Sequence, residues 1–272
     1  MSKGSKGIEI PDNEVVSLES VAPGLFGLHI MLVNVYAITT ETGWVLIDAG
    51  LPMSASRIRR WAESQFTRHK PSMILLTHGH FDHVGALPDL AEQWDVPVYA
   101  HELELPYLRG KAKYPPPDAS AGGGLMSLLA PFYPRGPVNL GERVQPFASD
   151  GKIPGLDDWR WIHTPGHTEG HVSLFRHSDQ CLLVGDAFCT TKQESVLAIA
   201  KQKPELHGPP AYYTSDWDAA KASVEHLATL KPHTVAPGHG SPMTGPDVAP
   251  ALDKLAANFD EIARPHHERR AA

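Results

Sequence analysis

Cysteine is scarce in this chain, and so are the long apolar runs that cross membranes. The 272 residues include two cysteines, Cys181 and Cys189, too few for the disulfide framework of a small secreted protein. We therefore expect a reducing compartment, the cytoplasm. A membrane span needs about 18 or more consecutive apolar residues, and no run in the sequence approaches that length. Residues 1–7 are basic and rich in glycine without a hydrophobic segment after them, so we expect neither a secretory signal nor a membrane partner.

Positive charge is also in short supply. The chain has 24 lysines and arginines against 31 aspartates and glutamates, which gives a formal net charge of −7. Basic residues cluster only at Arg57–Arg60 and Arg269–Arg270. Binding to a nucleic-acid backbone needs concentrated lysine and arginine, so we expect no nucleic-acid partner. Histidine, by contrast, is abundant, with 16 residues.

The densest group of histidines is the segment His78–His83, which reads His-Gly-His-Phe-Asp-His. It follows the apolar run Met73–Leu76 directly. Packing gives no reason to crowd so many titratable groups, whereas neutral imidazole and carboxylate are common ligands of zinc and its neighbours. If the chain leaves the strand extended, His78 and His80 point to the same side, and the last two polar side chains can turn toward a neighbouring point. The segment therefore predicts metal binding.

Strand-like and helix-like segments alternate along both halves of the chain. Apolar or alternating stretches predict strands, and amphipathic stretches predict helices. This order predicts an α/β fold. Because no linker separates the halves, we interpret residues 1–263 as one domain, followed by a polar tail at 264–272. The predicted strands lie at 32–38, 44–47, 73–76, 96–100, 159–163, 172–175, 181–184 and 234–236, and the predicted helices at 54–67, 84–94, 216–230 and 248–263.

Residues 106–137 form an insertion of different character. Tyr114–Pro117 and Gly122–Gly124 make the segment too rich in proline and glycine for regular packing, yet it also carries aromatic and apolar side chains. A flexible linker and a lid or partner-contact region are both compatible with this composition. We expect the insertion to shape substrate specificity and to offer a surface for a homodimer.

Three later loops each place one ligand-type side chain, His167, Asp186 or His239, after a predicted strand and beside glycine or proline. Loops at the carboxyl ends of strands commonly hold the sites of open α/β folds. With the histidine segment, they bring the candidates to five histidines and two aspartates. That is too many for one zinc ion and about right for two ions that share a bridging carboxylate.

These motifs resemble the ligand set of the metallo-β-lactamase fold hydrolases. The resemblance covers about residues 20–245 and includes Asp48 within Leu46–Gly50. It implies a four-layer αβ/βα sandwich with two divalent ions at one edge. We expect these ions to be Zn²⁺, with Fe or Mn as alternatives. It also implies a supporting role for Asp48 and a bridging role for Asp186. The implied ligands are His78, His80 and His167 for the first ion and Asp82, His83 and His239 for the second.

Other polar residues near these loops have plainer interpretations. His163 and His171 flank His167 and could be ligands, but the set is already full, so we expect supporting or packing roles for both. A buried cysteine packs like a small apolar group, and a tyrosine packs more often than it polarises a substrate carbonyl. We accordingly expect core, rim or surface roles for His101, Cys189 and the pair Tyr212–Tyr213.

The ligand set favours hydrolysis of a small-molecule substrate. Two divalent cations lower the pKa of a bound water to about 7 and stabilise a developing oxyanion. We predict that a metal-bridging hydroxide attacks a carbonyl and that Asp82, or a metal-bound water, handles the proton of the leaving group. The predicted substrate is a small neutral or anionic ester or lactone.

The resemblance leaves other reactions open. A thioesterase of the glyoxalase II type is the first alternative, weakened because Lys254 is the one basic residue within 246–263, where a glutathione clamp would need more. A mononuclear iron sulfur-dioxygenase is the second. A β-lactamase is disfavoured because its Cys-bridged type needs cysteine at position 186, and a phosphodiesterase or nuclease is disfavoured by the acidic charge. A metal-binding protein without catalysis ranks last.

Overall fold

The computed structural model of the chain describes residues 17–68, 70–121, 128–136, 138–191, 205–265 and 268. Within these ranges the backbone forms two β-sheets, one of seven strands and one of five. Strands and helices alternate between residues 43 and 108, as the sequence predicts, whereas the four strands between residues 144 and 185 follow one another without an α-helix.

The strands of the first sheet follow one another in space as they do in the chain. The first four are antiparallel, and the next three extend the sheet in parallel. A tight turn at residues 41–42 joins the third and fourth strands into a hairpin. The strands are β1 (Ser17–Ala22), β2 (Leu25–Ile30), β3 (Val33–Thr40), β4 (Gly43–Ile47), β5 (Ile74–Leu75), β6 (Val98–Ala100) and β7 (Val144–Pro146).

The second sheet has the order β12-β11-β10-β9-β8. Its central pair, β10 and β11, is parallel, so both strands end at the same edge. The other neighbours are antiparallel. The strands are β8 (Trp159–His163), β9 (Val172–Arg176), β10 (Cys181–Gly185), β11 (Thr234–Pro237) and β12 (Met243–Thr244).

Apolar side chains pack between the two sheets and on both outer faces. Between the sheets, Leu25 and Ile47 share a cluster with Leu183. Helices α1 and α3 cover the outer face of the first sheet, and α5 and α6 cover that of the second. This is the four-layer αβ/βα sandwich that the resemblance implies. The helices are α1 (Ala55–Gln65), α2 (Phe81–Val84), α3 (Leu87–Trp94), α4 (Leu105–Leu108), α5 (Trp217–Thr229), α6 (Val248–Ala257) and α7 (Phe259–Ile262).

The helix predicted over residues 84–94 is wrong at its start. Two helices occupy the region, and the first begins at Phe81, inside the histidine segment. Gly85 separates them because it packs against the preceding loop, where an added Cβ would lie 2.1 Å from the Pro52 nitrogen. The Gly85 N–H donates to the Gly50 carbonyl at 2.7 Å, which ties the histidine segment to the end of β4.

Four of the strands, β1, β2, β7 and β12, are not predicted from the sequence. Gly27 interrupts the apolar pattern of β2, and β7 ends at Pro146 on the edge of its sheet, where proline is tolerated. The helix predicted at 248–263 is divided at Asn258 into α6 and α7. No helix in the described ranges is long and apolar enough to cross a membrane.

The insertion at 106–137 is described except for residues 122–127 and 137. It includes most of α4 and a 3-10 turn at Ala130–Phe132. Phe132 is 84% exposed and Leu128 is 65% exposed. The homodimer through this segment stays a prediction. Most of the predicted polar tail lies outside the described residues.

The N-cap of α5 connects helix stability with the site. The Asp216 carboxylate accepts hydrogen bonds from the Asp218 and Ala219 N–H groups at 3.1 and 2.9 Å. The Asp216 N–H donates to the Gly166 carbonyl at 3.0 Å, one residue before His167.

We expect Asp216→Ala to lower the free energy of unfolding by about 1 kcal/mol, because a side-chain cap is lost. The measurement is urea unfolding followed by circular dichroism. Asp247→Ala is the matched control, since Asp247 precedes α6 without a side-chain cap bond, and it should cost less than half as much. Equal losses in the two variants would contradict this account of the cap.

Candidate metal centre

Three imidazoles meet where β5 and β8 run into their loops. His78 and His80 follow β5, and His80 has the extended conformation of a helix N-cap before α2. His167 lies in the loop between β8 and β9. One ring nitrogen from each of the three lies within 4.8 Å of the others, and His80 Nδ1 is 2.9 Å from His167 Nε2. We call these residues the first group.

Asp82, His83 and His239 form the second group, and their potential ligand atoms also lie within 4.8 Å of one another. The first two belong to α2, and His239 follows β11. His239 Nε2 is 3.4 Å from Asp82 Oδ2. The early start of α2 thus brings Asp82 and His83 to the end of β11. His83 also lies beside the first group, since its ring is 4.2 Å from that of His78 and its potential ligand atom lies within 4.8 Å of those of His78 and Asp186.

Asp186 lies between the two groups, one residue after β10. Its Oδ2 atom is 3.5 Å from His167 Nε2 in the first group and 3.1 Å from His239 Nε2 in the second. Its Oδ1 atom is 3.4 Å from His83 Nε2. All seven predicted ligand residues therefore come together, and Asp186 has the position expected of a bridge.

In four of the five imidazoles, the Nδ1 atom lies beside a polar group of the protein and the Nε2 atom is left for the ligand groups. The Nδ1 atoms of His78 and His83 face Thr77 Oγ1 at 3.1 Å and Asp48 Oδ2 at 2.8 Å. Those of His167 and His239 face Thr214 Oγ1 at 3.3 Å and the Leu32 carbonyl at 2.6 Å. A metal-binding imidazole characteristically donates its second N–H to such a partner. His80 differs, because it presents Nδ1 itself to the group.

Two buried residues support this arrangement from behind. Asp48 accepts hydrogen bonds at 2.8 Å from the Thr77 N–H, the Thr77 hydroxyl and His83 Nδ1. His171 Nε2 accepts from the Asp186 N–H at 2.9 Å, while its Nδ1 lies 3.1 Å from the Thr164 carbonyl. Both nitrogens of His171 thus have partners within the protein, which fits the supporting role expected of it.

The two groups differ in electrostatics. Burial, helped by the neighbouring imidazoles, lowers the pKa of His78 and of His167 well below its ordinary value. Burial also lowers the pKa of His80 to about 3. The first group therefore offers neutral rings with free lone pairs, the form that binds metals.

In the second group, burial opposes protonation but the carboxylate of Asp186 outweighs it. The pKa of His83 and that of His239 are both raised. The pKa of Asp186 is held well below its usual range, because the charges of these two rings outweigh its own burial. The second group therefore favours positive charge, as the raised pKa values of its two imidazoles indicate.

Buried polar atoms that lack hydrogen-bond partners indicate whether these residues fit a metal centre. His78 Nε2, His83 Nε2 and Asp186 Oδ1 are buried, and none has a hydrogen-bond partner among the described residues. Buried polar atoms without partners are rare and need an explanation. The potential ligand atoms of these three residues lie within 4.8 Å of one another, so a divalent cation bound among them would supply the missing partners. The donor set of imidazoles and carboxylates fits Zn²⁺, Fe or Mn.

A cleft of about 320 Å³ opens beside His80 and His167. Its wall is aromatic, since the rings of Tyr107 and Tyr114 stack at 4.0 Å and the ring of Tyr213 lies 4.6 Å from that of His80. Two carboxylate residues, Asp118 and Glu169, also line it, and within the described ranges no lysine or arginine does.

Tyr213 has a different setting from the rim packing that the sequence suggests. Its hydroxyl is buried and lacks a hydrogen-bond partner within the described part of the chain. Burial and the charge of Asp82 raise the pKa of Tyr213, and Arg135 opposes them only in part. The phenol therefore keeps its proton at neutral pH.

The remaining histidine and cysteine predictions concern residues away from the ligands. His101 and His163 stack on each other at 4.2 Å, and the Cys189 backbone pairs with His207.

Sequence reasoning missed Glu104 and Tyr114. Glu104 is fully buried and accepts a hydrogen bond from the Gly79 N–H inside the histidine segment. Nothing in the local pattern around residue 104 marks it, because its partners are distant in the chain.

Comparison with known proteins agrees with this geometry. A family model described as the metallo-beta-lactamase superfamily matches residues 30–239. "Probable metallo-hydrolase YflN" of Bacillus subtilis (strain 168) is 45% identical over 245 residues, which cover 89% of this chain and 93% of that protein. "Hydroxyacylglutathione hydrolase GloC" of Haemophilus influenzae is 31% identical over 116 residues, 42% of this chain and 48% of that protein.

A crystal structure of TTHA1623 in a di-iron-bound form superimposes with a TM-score of 0.55 and 28% sequence identity. The match covers 85% of this chain and 95% of that one.

Gly238 has no room for a side chain next to the Asp186 carboxylate. An added Cβ would lie 2.2 Å from Asp186 Oδ1 and 2.7 Å from His83 Cε1. We therefore expect Gly238→Ala to displace the carboxylate and to reduce the metal retained after dialysis from two ions per chain to one or none, as measured by plasma mass spectrometry.

Gly43→Ala is the control, because its Cβ would meet only the Arg68 side chain at 3.5 Å, and it should retain both ions. Retention of two ions by Gly238→Ala would show that the Asp186 position does not govern binding.

Proposed function

Because this chain belongs to the metallo-β-lactamase superfamily and is a metallo-hydrolase, we propose that it cleaves a small uncharged ester or lactone at a centre of two divalent ions. The observation that carries the proposal is the position of Asp186 between two complete ligand groups. A single ion could serve the buried unpartnered atoms, since the potential ligand atoms of His78, His83 and Asp186 lie within 4.8 Å of one another, but it could not use all seven candidate ligands. We assign Zn²⁺ as the ion, with Fe or Mn as alternatives.

The first group would hold one ion and the second group the other, with Asp186 available as a ligand to both. Such ions, when bound, supply an activated water at neutral pH and a Lewis acid for the carbonyl oxygen. The protein supplies the rest. It keeps the imidazoles of the first group neutral by burial and fixes four of the five rings through their second nitrogens.

Asp82 is assigned the proton transfer to the leaving group. Its side chain is 17% exposed, against 2% for Asp186, so it can reach both the second group and the open side of the site. A carboxylate in that position can accept a proton from the attacking water and return it to the leaving oxygen.

Tyr213 is assigned a hydrogen bond to the substrate. Its protonated, buried hydroxyl without a protein partner can donate to a carbonyl or leaving oxygen in the cleft. A donor aimed at developing negative charge in a site that excludes water is worth more than the same donor in water.

The cleft favours a substrate with an uncharged, apolar portion. Tyrosine and proline side chains bind apolar groups well, whereas the carboxylates of Asp118 and Glu169 disfavour anions. The pKa of Tyr107 is raised by burial and by the charges of Glu169 and Glu104, so negative charge reaches the aromatic wall. A neutral ester or lactone matches these features better than a phosphodiester does.

The alternative favoured by a specific observation is a thioesterase of the glyoxalase II type, since part of the chain is similar to hydroxyacylglutathione hydrolase GloC. Glutathione carries two carboxylates, and the described lining of the cleft has no cation to pair with them. A sulfur-dioxygenase with one iron is a further alternative, and β-lactamase and phosphodiesterase activities rank lower.

Metal quantification with a substrate panel tests the proposal. The purified protein should contain two ions per chain and should hydrolyse neutral esters or lactones faster than thioesters, β-lactams and phosphodiesters. Among matched esters, phenyl hexanoate should exceed monophenyl adipate at least tenfold in kcat/KM, because the adipate carries an added carboxylate. One iron per chain with dioxygen consumption would instead identify a sulfur-dioxygenase, and preference for S-acylglutathione a thioesterase.

We expect Tyr213→Phe to lower kcat for the best ester by about 100-fold, the lower end of the range of about 100- to 1,000-fold lost when one oxyanion donor is removed, while two ions per chain remain. Tyr107→Phe, which removes a hydroxyl from the same cleft, should change kcat less than threefold. If Tyr213→Phe kept full kcat, the hydroxyl would have only a packing role.

A further inference from the structure

The carboxylate of Glu104 is buried beside the first group without belonging to either ligand group. It lies in a short helical turn after β6, and its side chain is inaccessible to solvent. A buried carboxylate needs hydrogen bonds to offset the loss of hydration. The identity of its partners therefore indicates what it does.

Glu104 uses both oxygens, and each accepts from a different loop. Oε2 accepts from the Gly79 N–H at 2.9 Å. Oε1 accepts from the Thr168 hydroxyl at 2.7 Å and from the Gly170 N–H at 3.1 Å. Gly79 separates His78 from His80, and Thr168 follows His167 directly. One carboxylate thus joins the two loops that carry the first group.

A third connection leads to the substrate cleft. The Tyr114 hydroxyl donates to Glu104 Oε2 and accepts from the Gly79 N–H. The Tyr114 ring lies 4.5 Å from the ring of His80 and forms part of the cleft wall. Because Tyr114 belongs to the insertion at 106–137, Glu104 links the insertion to the ligand loops.

We propose that Glu104 is a positioning residue, which holds the loop of His78 and His80 and the loop of His167 at the separation that the first ion requires. This role rests on the proposed metal centre, and it is independent of which bond the enzyme cleaves. It predicts that loss of Glu104 weakens the binding of the first ion and leaves the binding of the second ion unchanged.

The partners of Glu104 require an ionised carboxylate. All four are donors to it, so a glutamine side chain would turn its amide N–H groups toward two of them in either orientation. Burial raises the pKa of Glu104, and the hydrogen bonds from Tyr114, Thr168, Gly79 and Gly170 lower it in part. The donors therefore stabilise a charge that the surroundings alone would disfavour.

The test measures Zn²⁺ affinity of the metal-free protein by chelator competition, in two backgrounds. Asp82→Ala damages the second group and leaves the first complete, and His80→Ala does the reverse. In the Asp82→Ala background, Glu104→Gln should raise the Kd of the remaining ion at least tenfold, within the range of about 10- to 100-fold found when the support of a metal ligand is lost. In the His80→Ala background the change should be below threefold.

A second series covers the case in which Glu104→Gln fails to fold. Thr168→Val removes one donor to Glu104 and should raise the Kd of the first ion at least threefold, and Thr168→Ser should restore it to within twofold of the parent. Thr234→Val is the matched control, because this buried threonine bonds Thr244 at 2.9 Å at the start of β11, the end opposite to His239. It should leave both affinities unchanged.

Two results would overturn the proposal. The first is an equal loss of affinity in the two backgrounds, and the second is an equal effect of Thr168→Val and Thr234→Val, since both would indicate general destabilisation. The absorption bands of Co²⁺ bound in the Asp82→Ala background give an independent reading, and Glu104→Gln should shift them. Failure of the parent protein to hydrolyse any ester would count against the proposed substrate class and not against Glu104, because these measurements contain no substrate.

Discussion

The buried carboxylate of Asp186 is the constraint on which the rest of the site depends. It contacts imidazoles of both ligand groups within 3.5 Å and is 2% exposed. One of its oxygens, like His78 Nε2 and His83 Nε2, has no hydrogen-bond partner in the described part of the protein. Burying such atoms costs free energy unless a partner compensates. A divalent cation bound among these atoms would offset this cost.

The fold supplies that space by ending its strands at one edge. The parallel pair β10 and β11 brings Asp186 and His239 together, and the parallel pair β4 and β5 brings Asp48 beside the histidine segment. Asp48 fixes His83, and His171 fixes the backbone of Asp186. Gly238 then permits the closest approach of β11 to the bridge. The ligands are therefore held by backbone geometry and by buried hydrogen bonds, and not by long flexible side chains.

The seven candidate ligands could be selected from the sequence because each follows a predicted strand and five of them stand beside glycine. The four-layer fold followed from the resemblance that these residues carry. The start of α2 could not be predicted, since it depends on contact between Gly85 and a loop more than thirty residues earlier. Glu104 was missed for the same reason, because its partners Gly79 and Thr168 lie 25 and 64 positions away. Local patterns indicate ligands, whereas the residues that position them become visible only in three dimensions.

The candidate metal ligands and the aromatic wall of the cleft come from different parts of the chain. The strand-end loops provide the metal ligands, and the insertion contributes Tyr107 and Tyr114 to the cleft. Glu104 connects the two through Tyr114, so changes in the insertion can reach the first group without altering a ligand.

The most direct test of the two-ion centre is anomalous X-ray diffraction from crystals of the Zn²⁺-loaded protein, recorded on both sides of the zinc absorption edge. The account predicts two anomalous peaks, one among His78, His80 and His167 and one among Asp82, His83 and His239, with Asp186 between them. A single peak, or two peaks that Asp186 does not join, would contradict it.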